Sequence, residues 1–302
     1  MKILIQTKIQ TILCLLILIA AGCNSTATRD QKAETTTITD DLSREIILTK
    51  QPRKVMALAP SLTEMLATIV PDSQIIGRTH QCNYPEWVEK LPVVDVMPLD
   101  IEKLLQLKPD IVFTMEGMTS LENAEKLQQL GIPVYYQKYD KVTDIFSGLV
   151  DIGTILGHAD RARQIADSLD MELAKIYRTG VNRHNPTRII ALAWQDPIMV
   201  YGYHNLFTDK VRIAGGINPI DSTLREPYPT ITREYLLKLN PDVIISRDFG
   251  FAGMDTSFFK RYPELKALKA YKTKRIGSVN VDLMERPTPR VVQSVKEIKA
   301  LL

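Results

Sequence analysis

One short passage occurs twice in this chain. Residues 102–112 read Glu-Lys-Leu-Leu-Gln-Leu-Lys-Pro-Asp-Ile-Val, and residues 234–244 read Glu-Tyr-Leu-Leu-Lys-Leu-Asn-Pro-Asp-Val-Ile. Glu102 and Glu234, Leu104 and Leu236, Leu105 and Leu237, Leu107 and Leu239, Pro109 and Pro241, and Asp110 and Asp242 share one offset of 132 residues. Each copy has the pattern of a short amphipathic helix, a Pro-Asp break and an apolar β-branched run typical of a buried strand. The chain is therefore expected to build two related lobes, each with an acidic residue at the start of an equivalent helix.

The surrounding sequence supports an α/β reading. Residues 37–48 predict a hairpin turning near Asp41, and Val55–Ala59 a strand. Ser61-Leu-Thr-Glu64 has the form of a capping box opening a helix to about Ile69. Gln74–Gly77 reads as a short strand, 101–107 as helix, 110–114 as strand, Leu121–Leu130 as helix and Val134–Tyr136 as strand. That order makes a mostly parallel sheet covered by helices. Helices over Val142–Leu156 and Asp160–Tyr177 follow, and the alternation then resumes. Strands are expected at Arg188–Leu192, Val243–Ser246 and Arg275–Ser278. Helices are expected at Leu206–Ile213, Thr232–Leu239, Pro263–Leu268 and from about Pro289. The predicted division is an N-terminal lobe at 37–141, connecting helices at 142–186 and a C-terminal lobe at 187–302. The lobes are thus joined by a long helix and not by a polar linker, with a cleft between them.

The N-terminus reads as export and attachment. Lys2 and Lys8 precede an apolar run, Ile9–Ala21, that is too short to span a bilayer, so 1–22 is a signal peptide. It ends Ala20-Ala21-Gly22-Cys23, which resembles the bacterial lipobox, with Ala20 where Leu is usual. Cleavage before Cys23 would leave a lipidated cysteine and place the protein in the cell envelope, facing the periplasm. The other reading is an ordinary secretory signal with a stray cysteine. Residues 23–36 have the composition of a flexible tether. With 38 Lys and Arg against 35 Asp and Glu, no nucleic-acid surface is implied. Cys82 has no intrachain partner once Cys14 is removed and Cys23 lipidated, and reads as a small buried apolar residue.

Several segments, in this order, carry a resemblance. They are Val55-Met-Ala-Leu-Ala-Pro-Ser-Leu-Thr-Glu64, Gly77, Cys82-Asn-Tyr84-Pro85, the Glu102 repeat and Gly131-Ile-Pro133-Val134. They continue with Gly215-Gly216-Ile-Asn218, the Glu234 repeat and Asp282-Leu-Met-Glu-Arg286-Pro-Thr-Pro289-Arg290. Over residues 37–302 the chain resembles the periplasmic substrate-binding proteins of ABC importers for cobalamin, haem and iron-siderophores, most of all the vitamin B12-binding type. The resemblance implies a monomeric receptor, without cofactor, that carries a corrinoid to an ABC permease dimer with its ATPase subunits. It also makes Glu102 and Glu234 the docking pair, one per lobe, for arginines on the two permease subunits. Without the resemblance, each is simply an acid favoured by a helix dipole, beside the N-caps Asp100 and Thr232.

In open α/β sheets, ligands bind at the carboxyl ends of the strands. The candidates there are His80, Gln81, Tyr84, Met97 and Glu116 from one lobe, and Trp194, Tyr201, Tyr228, Leu283 and Arg286 from the other. A corrinoid is wide, largely apolar and edged with amides, so it needs flat side chains and a few donors. Tyr228 occupies an aromatic position of the family. Gln81 and Leu283 stand where the family often has Tyr and Trp, so a less aromatic cleft is expected. Trp194 could instead belong partly to the core, and Tyr84 could anchor a loop.

His80 could ligate haem iron or corrinoid cobalt, although a surface-loop role is the simpler reading, and His204 has the same ambiguity. A haem or ferric-siderophore receptor is the alternative within the class, and Arg78, Arg225, Arg247 and Arg286 are the loop arginines an anionic siderophore would want. The alternative from another class is an envelope hydrolase or chelatase using His80 and Glu116. The sequence has no G-x-S-x-G, P-loop, dinucleotide-turn or H-E-x-x-H motif, so no enzyme signature supports it. Helix capping accounts for Ser61 without a nucleophilic role.

Overall fold

The computed structural model describes residues 35–180, 185–248 and 257–302. The signal peptide, Cys23 and the tether up to residue 34 lie outside these residues. An antiparallel hairpin, β1 (Thr36–Thr39) and β2 (Glu45–Leu48), comes first. Asp40 sets its turn, accepting hydrogen bonds from the Leu42 and Arg44 amides.

The first lobe is a parallel sheet in the order β3 (Val55–Ala57), β4 (Ile111–Met115), β5 (Val134–Gln137). Alternate residues face opposite ways. Val55, Ile111 and Phe113 pack on the helices α1 (Pro60–Ile69) and α4 (Val142–Ile155), through Leu62, Leu66, Ile145 and Leu149. Met56, Val112 and Val134 pack on α2 (Ile101–Leu107) and α3 (Leu121–Gln129), through Leu104 and Leu127. Gly131 ends α3 at φ +82°, a conformation that suits a residue without Cβ.

α4 and the long helix α5 (Ala159–Gly180) connect to a four-stranded sheet, in the order β7 (Ile198–Val200), β6 (Ile189–Gln195), β8 (Val243–Asp248), β9 (Ile276–Asn280). β6, β8 and β9 run parallel, and β7 turns back antiparallel beside β6. Around this sheet lie α6 (Leu206–Ala214), α7 (Arg233–Leu239), α8 (Ser257–Arg261), α9 (Lys269–Lys272), α10 (Val281–Glu285) and α11 (Val291–Ala300).

The repeat proves to be one structural device used twice. Asp100 Oδ1 caps α2 through the Lys103 amide (2.8 Å), and Thr232 Oγ1 caps α7 through the Tyr235 amide (3.1 Å). Each helix ends on a left-handed residue, Lys108 at φ 54° and Asn240 at φ 42°, just before the proline. The aspartate that follows then staples the neighbouring strand. Asp110 Oδ2 accepts from the Arg53 and Lys54 amides at the entry to β3, and Asp242 Oδ2 from the Arg188 amide at the entry to β6. Lys50 pairs with Asp110 (2.6 Å) and Lys269 with Asp242 (2.5 Å).

Three local expectations need correction. The capping box at 61–64 does not form. Ala59 is the N-cap of α1, Pro60 opens the helix, and the Ser61 hydroxyl points to Met115 Sδ at 3.0 Å. Glu64 is instead buried, 2% exposed, and paired across the lobes. The strand expected at Gln74–Gly77 reduces to a single bridge between Val55 and Ile75, because a 3-10 turn occupies Asp72–Gln74. Strand β7 was missed: three residues after an Asp-Pro turn carry too little periodicity to register.

Candidate functional site

The carboxyl ends of β4 and β5 open onto a cavity of about 290 Å³ that also takes its walls from the second lobe. Met115, Glu116, Gln137, Lys138, Tyr139 and Asp140 line one side. The opposite wall includes Tyr201, His204, Tyr228, Glu285 and Pro287. A second depression of about 330 Å³ lies beside Ala193, Trp194 and Met199, and shares Tyr228 and Glu285 with the first. Both volumes sit near the lower end of the ~300–1,000 Å³ typical of small-molecule sites.

Aromatic side chains shape the second-lobe wall. The Tyr228 ring meets the Tyr201 ring edge-on at 5.2 Å, and Tyr201 is buried with its hydroxyl donating to Glu285 Oε1 at 2.6 Å. Trp194 sits on the exit from β6 with its indole N–H bonded to the Asp196 carbonyl at 2.8 Å, which leaves its ring half exposed. The first-lobe wall is charged. Lys138 lies 3.4 Å from Glu116 and 3.6 Å from Asp140, and the Asp140 and Glu116 carboxylates hold its ammonium above the usual lysine range.

Behind the cavity, residues on both sides of Glu285 are gripped. Lys210, fully buried, donates to the carbonyls of Leu283, Met284 and Arg286 at 2.8, 3.1 and 3.3 Å. These are carbonyls at the end of α10, where a cation is favoured by the helix dipole. Burial pushes the Lys210 pKa down to about 7, against the attraction of Glu285 and Glu64. The Arg286 side chain turns away from the cavity to Glu64, Asn83, the Gln81 carbonyl and Asp282.

Of the residues expected in the cleft, Glu116, Trp194, Tyr201 and Tyr228 line its cavities. The other six are not on the walls of these two depressions. His80 sits on an exposed loop, with Nε2 2.8 Å from Asp95 Oδ1. Met97 is 88% exposed. Gln81 and Tyr84 belong to the loop held by Arg286 and Arg290, the latter stacked 4.2 Å from the Tyr84 ring. Leu283 is buried because α10 turns its apolar face into the lobe. Arg286 is committed to protein acceptors. The histidine of the cavity is His204, its Nε2 2.9 Å from the Ser222 carbonyl.

Lys138, Tyr139, Asp140 and Glu285 were missed by sequence reasoning. The first three directly follow strand β5, a position that could have flagged them. Glu102 and Glu234 stand exposed in the first turns of α2 and α7. Glu234 is held below the usual carboxylate range by its own backbone amide and the Thr232 hydroxyl. Cys82 is buried, with Sγ 3.2 Å from both the Thr63 and Thr79 hydroxyls. Among the described residues no group of three or more His, Cys, Asp or Glu side chains is placed to hold a metal ion.

Two lobes with parallel sheets, a helical connector and a cavity at the strand ends have a counterpart among known families. The model of the periplasmic binding protein family matches residues 55–280. The chain belongs to that family. Its members are solute-binding proteins and not enzymes, and the same holds here. An uncharacterized ABC transporter substrate-binding lipoprotein of Bacillus subtilis (strain 168), YvrC, is 26% identical over 292 residues, covering 92% of this chain and 91% of that one. The vitamin B12-binding protein of Yersinia pestis (strain Pestoides F) is 25% identical over 246 residues, covering 81% and 84%. The fold is also that of the periplasmic heme-binding protein RhuT from Roseiflexus sp. RS-1, with a TM-score of 0.74 at 19% identity, covering 82% of this chain and 97% of that one. The chain is thus a substrate-binding protein of an ABC transporter.

Proposed function

We propose that the solute is a corrinoid, held between the lobes and delivered to an ABC permease dimer. The observation that carries this reading is the Tyr228 wall. Tyr228 and Trp194 present partly exposed aromatic faces at the strand ends, and Tyr228 lines both depressions. Flat apolar faces suit a macrocycle, and the exposed Lys138 ammonium offers a donor for a peripheral amide. Two of the arginines an anionic siderophore would need are occupied elsewhere. Arg78 is bonded to the Thr79, His80, Cys82 and Glu89 carbonyls, and Arg286 is held by Glu64 and Asp282. The relatives named for vitamin B12 support the same choice.

A haem is the second reading, favoured by His204 on the cavity wall. The test is a panel of cyanocobalamin, cobinamide, haemin and ferric siderophores, read by calorimetry and visible spectra. Heat with a corrinoid supports the proposal. A Soret shift with haemin that disappears in His204→Ala, without corrinoid heat, replaces it.

Delivery falls to Glu102 and Glu234, one on each lobe, as partners for permease arginines. Exposed pairs of this kind set orientation and association rate more than affinity. Lipidation at Cys23 would keep the receptor at the membrane, facing the periplasm.

A further inference from the structure

We infer that Glu64 is a positioning residue for solute binding: through Arg290 and Arg286 it clasps the two lobes together behind the cavity and sets the width of the cleft.

Glu64 lies on α1 of the first lobe, and its side chain is only 1% exposed. A buried carboxylate persists only if its charge is matched and its oxygens bonded. Both conditions are met from the other lobe. Arg290, the N-cap residue of α11, forms a fork: Nε to Oε2 at 2.8 Å and Nη2 to Oε1 at 2.6 Å. Arg286, the C-cap of α10, adds Nη1 to Oε1 at 3.1 Å. The two arginines also take hold of the loop at 81–84. Arg286 donates to Asn83 Oδ1 (2.7 Å) and the Gln81 carbonyl (3.1 Å), and Arg290 stacks on Tyr84. Asp282 closes the set, pairing with Arg286 at 2.7 Å and accepting from Asn83 Nδ2 at 2.9 Å. Two carboxylates and two guanidiniums balance.

The clasp and the cavity share a backbone. Arg286 reaches toward the first lobe, while its neighbours Glu285 and Pro287 line the cavity. A change in lobe spacing at Glu64 therefore moves the cavity wall directly. Helices connect the lobes elsewhere, through α4 and α5, so a polar clasp is the part of the interface able to release as a unit. The segments at 61–64 and 286–290 thus meet in space, and Pro287 of the second lines the cavity.

Spin labels at Glu122→Cys and Lys266→Cys, both exposed and one on each lobe, report the spacing in the solute-free protein. The parent should give one narrow distance distribution. Asn83→Ala, which removes two of the cross-lobe bonds without stranding a charge, and Glu64→Gln should each lengthen or broaden it. Arg290→Lys, which keeps the charge and loses the fork, should do the same. A second reading, which alone rests on the corrinoid proposal, is cyanocobalamin dissociation, expected to be roughly tenfold faster in Asn83→Ala, within the range of couplings through shared networks. Folded variants with unchanged distances would overturn the inference and leave Glu64 a purely structural ion pair. Should the parent fail to bind cyanocobalamin, the corrinoid proposal falls while the distances still decide the clasp.

Discussion

Glu64 and Arg290 meet across the lobes in a two-bond fork, 2.6 and 2.8 Å long, on a carboxylate that water scarcely reaches. Burial works against the Arg290 charge, yet Glu64 more than offsets it and raises the arginine above its ordinary value. Removing Glu64 takes away the carboxylate bonded to Arg290, and removing Arg290 leaves the buried Glu64 with Arg286 alone. Glu64→Ala or Arg290→Ala should therefore cost about 3–5 kcal/mol, whereas Glu64→Leu combined with Arg290→Met should cost much less than the sum. Urea unfolding checks this, and additive losses would show that the two side chains do not depend on one another.

Asp110 and Asp242 should behave alike in acid. Burial alone would raise both, but Lys50 and the Arg53 and Lys54 amides lower Asp110, and Lys269 and the Arg188 amide lower Asp242. With the folded pKa below the unfolded one, each contributes stability above the unfolded value near 4 that disappears as pH falls through the folded value. Asp110→Asn and Asp242→Asn should each cost roughly 1–3 kcal/mol at pH 7 and lose little more on acidification. Thermal melts from pH 7 to pH 3 would show the parent converging on the variants, and parallel curves would remove the staple's electrostatic role.

Lys210 predicts a slope of the same sign at higher pH. Its folded pKa is pushed down to about 7 from an ordinary 10.5. Between those values the unfolded chain binds a proton that the native chain has released, so this group makes the native state gain about 1.4 kcal/mol per pH unit as pH rises. Lys210→Met should lose that gain. Denaturant titrations at pH 6.5, 7.5 and 8.5 would reveal it as a widening gap between parent and variant, and a constant gap would count against it.

Glu102→Ala and Glu234→Ala should leave solute affinity unchanged, because both glutamates are exposed on helices outside the described cavities. Association with permease-containing vesicles should slow, and the deficit should shrink as salt screens the remaining charges. If solute binding fell instead, the two residues would be part of the cleft.

How much of this was legible differs by element. The repeat announced itself because capping, the left-handed helix end and the Asp staple all follow from side chains a few residues apart, or from backbone that must pair in any parallel sheet. Glu116, expected from the strand end before it, and Tyr228, expected from the family resemblance, both line the described cavity. Glu64 was misread because its local pattern, a serine three residues earlier at a helix start, is satisfied equally by a cap. Its true partners lie more than 220 residues away. Arg286 and Leu283 are absent from the walls of the described depressions for a related reason: the short helix α10 leaves no periodic signal, yet its orientation decides which side chains face them. Lys138 and Asp140 drew no reading from the sequence, and the wall that faces them across the cavity comes from the other lobe.

The corrinoid proposal stands or falls on the Tyr228 wall. The deciding measurement is calorimetric titration of cyanocobalamin into the parent and into Tyr228→Ala. Saturable one-to-one binding is expected in the parent, weakened by about 0.5–1.5 kcal/mol or more when the ring is removed. Absence of heat with cyanocobalamin, or an affinity indifferent to Tyr228, would contradict it.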